Sequence, residues 1–153
     1  MEIKKLSNIH YSDCEKILRD LPDWFGIESA IVEYLDDIKK METYGVFDNE
    51  KVIGFLTLNY HNQFTAEIHV MGIYKEFHHK NIGSELIKYI ENILKSRNYE
   101  YLEVKTLSDS HPDINYKQTR AFYFKNGFRP VQEFKELWGE HNPCLLMIKK
   151  ILI

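Results

Sequence analysis

Apolar residues recur along this chain in two rhythms. Between Ser29 and Met41 they fall at Ile31, Tyr34, Leu35, Ile38 and Met41, the three- and four-residue spacing of one helix face. Leu86, Ile87, Ile90, Ile93 and Leu94 repeat that spacing and predict a second such helix from about Gly83 to Arg97. Ser12-Asp-Cys-Glu15 has the form of a capping box, which predicts a helix opening there and stopping before Pro22. Short apolar runs bounded by turn residues predict strands at Glu2–Leu6, Tyr44–Asp48, Val52–Asn59, Ala66–Tyr74, Tyr101–Thr106, Phe128–Phe134 and Leu145–Ile151. Asn49-Glu50 reads as a hairpin turn. A short helix is expected around Thr119–Lys125, ended by Asn126-Gly127, with Ser108–Asn115 as a polar loop before it.

The order of these elements gives the class. The strands from Tyr44 to Tyr74 form an antiparallel meander. The strand at Ala66, the helix at Gly83 and the strand at Tyr101 then make a parallel crossover. The class is α+β with a mixed central sheet. A length of 153 residues favours one domain, and 44% hydrophobic and 14% aromatic residues suffice for one core. Net charge is −3 without a basic stripe, so nucleic-acid binding has no compositional support. No apolar run approaches the roughly 18 residues of a membrane span, and MEIKKLSNIHYSDCEKIL has no signal-peptide core. The expectation is a soluble cytoplasmic protein without membrane partners, its Cys14 and Cys144 free thiols.

Candidate chemistry concentrates in YKEFHHKNIGSELIKYI, residues 74 to 90. A strand feeds a short polar loop, a glycine and a helix. The first turn of a helix has unpaired N–H groups and a partial positive charge, so phosphate fits there. Gly83 lets backbone approach a ligand closely, and His78, His79 and Lys80 can add positive charge. Neither GxxxxGK[ST] nor GxGxxG occurs. The histidine spacing predicts no metal site. Upstream, Glu67 and His69 stand two apart on one strand and so share a face.

AEIHVMGIYKEFHHKNIGSELIKYIENILKS, then YLEVKT, then TRAFYFKNGFRPV resembles the GNAT superfamily of acyl-CoA-dependent N-acetyltransferases, over residues 66 to 131. The family's Gln/Arg-x-x-Gly-x-Gly/Ala reads here His78-His79-Lys80-Asn81-Ile82-Gly83, with His for Gln/Arg and Asn for the first Gly. The resemblance implies one acyl-CoA N-acyltransferase-like domain over residues 1–153. Its sheet is expected to be mixed, mostly antiparallel, of about seven strands, and flanked by about four helices. It implies that the loop through Ser84 binds the CoA pyrophosphate, with acetyl-CoA as cosubstrate and no metal. Met71 matches the position whose backbone N–H polarises the acetyl carbonyl, and Ile73 the next pantetheine contact. Their side chains are expected in the core, and Gly72 between them suits close approach of another chain. Tyr123 matches the tyrosine near the thioester sulfur, where a phenol can protonate a departing thiolate. Phe122 and Phe124 beside it are expected as packed aromatics.

Glu67 and His69 match acidic and histidine positions used as bases, and a water chain is the alternative. Trp24, Phe25 and Trp138 fall in segments that line the acceptor pocket. Where relatives carry a CoA-binding Asn this chain has Tyr116, with Asn115 one residue early. The implied reaction moves acetyl from acetyl-CoA to a primary amine by direct attack in a ternary complex. A non-catalytic acyl-CoA-binding or sensing module is the alternative. The acceptor, a small molecule or a peptide, stays open, and a homodimer is compatible with the family.

Overall fold

A computed structural model describes residues 1–151. In chain order its elements are β1 (Glu2–Lys5), α1 (Tyr11–Arg19), α2 (Glu28–Lys40), β2 (Glu42–Asp48), β3 (Lys51–Tyr60), β4 (Thr65–Ile73), α3 (Ile82–Ser96), β5 (Tyr101–Leu107), α4 (Ile114–Lys125), β6 (Arg129–Phe134) and β7 (Cys144–Lys150). Hydrogen-bonded neighbours follow the order β1-β2-β3-β4-β5-β7-β6 in a seven-stranded sheet. The β1–β2, β2–β3, β5–β7 and β6–β7 pairs are antiparallel. β4 and β5 are parallel, in register from Thr65↔Tyr101 to Ile68↔Val104. The expected α+β class and mixed, mostly antiparallel sheet are what the chain adopts.

The chain packs as two compact units, residues 1–59 with 69–92 and residues 60–68 with 93–151 of the described chain. In the first, α1 and α2 bury Cys14, Ile17, Leu18, Ile31 and Ile38 against Phe47, Val52, Phe55 and Val70. In the second, Leu102, Val104, Phe128 and Met147 are buried. Leu86, Ile87, Ile90 and Leu94 of α3 are buried as the helical spacing predicts, each contributing roughly 1.5–3 kcal/mol relative to exposure. The hairpin turn at Asn49-Glu50 is present, with Asn49 at φ 56°.

Two helix starts differ from the sequence expectation. α1 opens at Tyr11, so Ser12 and Glu15 lie inside it rather than capping it. A 3₁₀ turn over Asn8–His10 precedes it, and the Ser7 N–H donates to His10 Nδ1 at 3.1 Å. α4 opens at Ile114, well before Thr119, because Asp113 accepts hydrogen bonds from the Asn115 and Tyr116 amides.

β4 carries much of the candidate site, and its two faces differ. Ala66, Ile68, Val70 and Gly72 are buried, whereas His69, Met71 and Ile73 on the alternate face are only half-buried. The Met71 and Ile73 side chains are therefore outside the fully buried core, contrary to expectation. Ile73 lies over Gly54, where an added Cβ would come within 2.9 Å of its Cγ1. Gly72 faces the other way: a Cβ there would meet Ile17 at 3.1 Å and Phe55 at 3.4 Å. The chain that approaches Gly72 closely is thus the protein's own core packing.

Candidate functional site

In the first unit, β4 ends in a 3₁₀ turn over Lys75–Phe77, and the loop through Asn81 leads into α3. His79 and Asn81 both adopt left-handed backbone, at φ 62° and 64°. Asn tolerates this region better than most residues, which is how it stands where relatives carry Gly. His79 shares the conformation without a sequence signal. A non-glycine residue held there costs on the order of 1 kcal/mol or more, and such cost gathers at ligand-binding segments. Gly83 is buried in the first turn of α3, and Ser84 is half-buried. The Asn81 side-chain amide donates to Glu85 at 3.3 Å, and the Glu85 N–H donates to the Asn81 carbonyl at 3.1 Å.

The basic side chains of this loop have specific partners. The His78 ring turns back and donates from Nε2 to the Ile73 carbonyl at 2.7 Å. Its ring also meets Trp24 edge-on at 5.7 Å. Lys80 Nζ sits 5.3 Å from the Phe77 ring centre. The Lys75 N–H donates to Asp20 at 2.9 Å, fixing the start of the turn to the end of α1. The loop leads onto the N-terminus of α3, where backbone N–H groups can receive an anion, with His79 exposed beside it.

His69, one strand turn before Met71, points at α2. Its Nε2 is 2.8 Å from Asp37 Oδ2. The Tyr34 ring, one helical turn before Asp37, meets the imidazole edge-on at 5.7 Å, and Phe25 meets Tyr34 at 5.8 Å. Trp24 and Phe25 are half-buried against the unit's core, so the two aromatics proposed for the acceptor stand beside the His78 and His69 neighbourhoods. Asp37 and Tyr34 are absent from the sequence-derived site. The signal available was the helical spacing that put Tyr34 on the buried face of α2.

In the second unit Glu67 is 6% exposed. Lys105 Nζ reaches both its carboxylate oxygens, and His61 Nε2 lies 2.5 Å from one of them. Glu103, opposite Glu67 in the parallel register, is 3.1 Å from His61. Burial and the Glu67 charge hold the Glu103 carboxyl above its ordinary range. His61, Glu67 and Glu103 offer ligand atoms within 4.8 Å of one another, a cluster that histidine spacing alone did not reveal. Lys105 already supplies a cation to it. Tyr123 is 7% exposed, its ring edge-on to Phe122 and Phe128, both at 5.4 Å. Phe124, expected as packed, is 44% exposed beneath the Arg129 guanidinium. The Phe128 N–H bonds the Tyr123 carbonyl at 3.0 Å, and Gly127 at φ 91° makes that helix end. Trp138, in the loop between β6 and β7, is 40% exposed.

The model of the acetyltransferase (GNAT) family matches residues 7–128. The chain belongs to the GNAT family of acetyltransferases. GNAT structures share its fold across nearly the whole length. An aminoglycoside 6'-N-acetyltransferase complexed with coenzyme A is 17% identical with a TM-score of 0.78, over 100% of this chain and 98% of that one. The ribosomal-protein-S18-alanine N-acetyltransferase from Escherichia coli is 12% identical with a TM-score of 0.78, over 99% and 94%. A GNAT acetyltransferase from Elizabethkingia anophelis with acetyl-CoA bound is 21% identical with a TM-score of 0.70, over 97% of each chain. None of the curated proteins matches. As a GNAT enzyme the protein is an acetyl-CoA-dependent N-acetyltransferase. Among the described residues no helix is long and apolar enough to cross a membrane.

Proposed function

We propose that residues 1–153 act as one domain that moves acetyl from acetyl-CoA to a primary amine by direct attack in a ternary complex, with His69 as the base. The observation that carries this reading is the His69–Asp37 contact on the half-buried face of β4, two residues before Met71. Solved relatives with coenzyme A or acetyl-CoA bound support the cosubstrate.

The loop amides from His79 to Ser84 hold the pyrophosphate, and the Met71 N–H donates to the thioester oxygen. An alkyl ammonium must lose a proton first, at a cost of about 4.6 kcal/mol at neutral pH. His69 accepts that proton. The amine nitrogen then bonds to the carbonyl carbon and the carbon–sulfur bond breaks. Tyr123, assigned by its motif position, gives a proton to the thiolate and regains one from solvent. The nitrogen sheds its second proton, so amide, free CoA and one net proton are released. Trp24 and Phe25 border the acceptor, and Trp138 is assigned to it by loop position. Glu67, engaged by Lys105 and His61, is the weaker candidate base.

The acceptor is a cation before it reacts. Relatives named for an aminoglycoside and for a ribosomal-protein alanine span two acceptor classes. Thiol release from acetyl-CoA, measured with kanamycin, spermidine, an N-terminal alanine peptide and a lysine peptide, tests the reading. At least one amine should turn over. Saturable acetyl-CoA binding without turnover on any amine would favour a sensing module instead.

A further inference from the structure

Asp37 and His69 are 32 residues apart in sequence, yet the Asp37 carboxylate lies 2.8 Å from the imidazole Nε2. A carboxylate only accepts hydrogen bonds, so Nε2 must carry a proton. In a neutral ring the lone pair is then on Nδ1. Tyr34 packs edge-on to the same ring at 5.7 Å and a 70° angle, which limits its rotation. The neighbouring Asp36 behaves differently: it points outward to Lys40 at 2.8 Å, both side chains largely exposed. The His69 and Asp37 side chains keep 24% and 34% exposure. A pair that accessible adds little to stability. Ile31 and Ile38 already anchor α2 in the core.

We infer that Asp37 is a positioning residue for catalysis: it holds His69 as the Nε2–H tautomer, so that Nδ1 takes the proton from the acceptor's ammonium. Proton transfer makes the ring an imidazolium, and the same carboxylate stabilises that charge. No atom of Asp37 need change protonation state. The inference rests on the reading of His69 as base. It adds the residue that makes one nitrogen, rather than either, the acceptor.

The test uses the full chain with Asp37→Asn, Asp37→Glu and His69→Gln, saturating acetyl-CoA, and whichever of the four named amines has the highest kcat/KM. An asparagine can turn either its N–H or its oxygen to Nε2, so while the packing is kept the ring is no longer held as the Nε2–H tautomer and the Nδ1–H form becomes available. Asp37→Asn should lower kcat by about 10²-fold or more, with KM within about twofold and the melting temperature nearly unchanged. Nitrogen-15 NMR of His69 should show the proton on Nε2 in the parent protein and at least partly on Nδ1 in Asp37→Asn. Asp37→Glu should restore the Nε2–H tautomer and part of the rate. The NMR arm needs no acceptor, so it decides the tautomer even if all four amines fail. A ring that stays wholly Nε2–H in Asp37→Asn would overturn the inference. So would normal kcat in Asp37→Asn with kcat lost in His69→Gln, leaving His69 the base. A raised KM at normal kcat would make Asp37 an anchor for the cationic acceptor instead. Full kcat in His69→Gln would sink the underlying base reading itself.

Discussion

Lys105 Nζ lies 3.0 and 2.9 Å from the two carboxylate oxygens of Glu67, a residue nearly buried on β4. Both its oxygens are engaged by the Lys105 ammonium and one also by His61, which leaves little free geometry for a substrate amine to approach. Glu67→Gln is therefore expected to damage the fold more than the chemistry. Stability should fall by about 1–3 kcal/mol, because Lys105 loses a charged partner in a partly buried place. Turnover of the folded variant should stay within about fivefold of the parent. Urea unfolding and steady-state rates on one preparation measure both. A rate loss of 10²-fold without a stability change would return Glu67 to the role of base.

Glu103 sets a pH dependence of stability. Its carboxyl is held above the ordinary value of 4.5 first by burial and then by the Glu67 charge, against the opposing pull of His61 and Lys105. For an acid with a raised folded pKa, the native state binds more protons than the unfolded chain between the two values. This contribution thus favours folding as pH falls through that window and is lost as pH rises through the folded pKa. Glu103→Gln should melt higher than the parent at pH 7, and the gap should close below about pH 4.5. Scanning calorimetry across pH 4 to 8 checks the sign. An unchanged melting temperature at pH 7 would remove Glu103 from the account.

Asn81 carries the left-handed turn of the loop that we assign to the pyrophosphate. Acetyl-CoA should raise the melting temperature, and desulfo-CoA should do so nearly as well, since backbone amides read phosphate rather than sulfur. Asn81→Gly should keep that shift, because glycine takes positive φ freely. Asn81→Val should lose most of it, the left-handed conformation costing a branched residue about 1–2 kcal/mol or more. Equal shifts in the two variants would move the phosphate elsewhere.

Tyr123 separates packing from chemistry by one hydroxyl. Tyr123→Phe keeps the ring between Phe122 and Phe128. Stability should fall by about 1 kcal/mol. If the phenol protonates the thiolate, turnover should fall by roughly 10²-fold with acetyl-CoA affinity little changed. Turnover above half the parent rate under saturating substrates would leave Tyr123 a core aromatic, provided chemistry limits the rate.

Helical spacing determined α2 and α3, because burial of one helix face writes itself into that spacing, while apolar runs bounded by turn residues marked the seven strands and their order gave the β4–α3–β5 crossover. α4 was legible only at its end. Just Arg120 and Tyr123 of it are buried, so its first turns show no apolar rhythm, and the start depends on the Asp113 cap. The loop sequence likewise indicated Asn81, since few residues other than glycine accept its backbone. Tertiary structure decided the partners. Asp37 meets His69 across 32 residues, and Lys105 meets Glu67 across 38. A charged side chain on a helix or strand looks the same in sequence whether it faces water or a partner. Only the packing of α2 against β4, and of β4 against β5, brings Asp37 to His69 and Glu67 to Lys105 and His61.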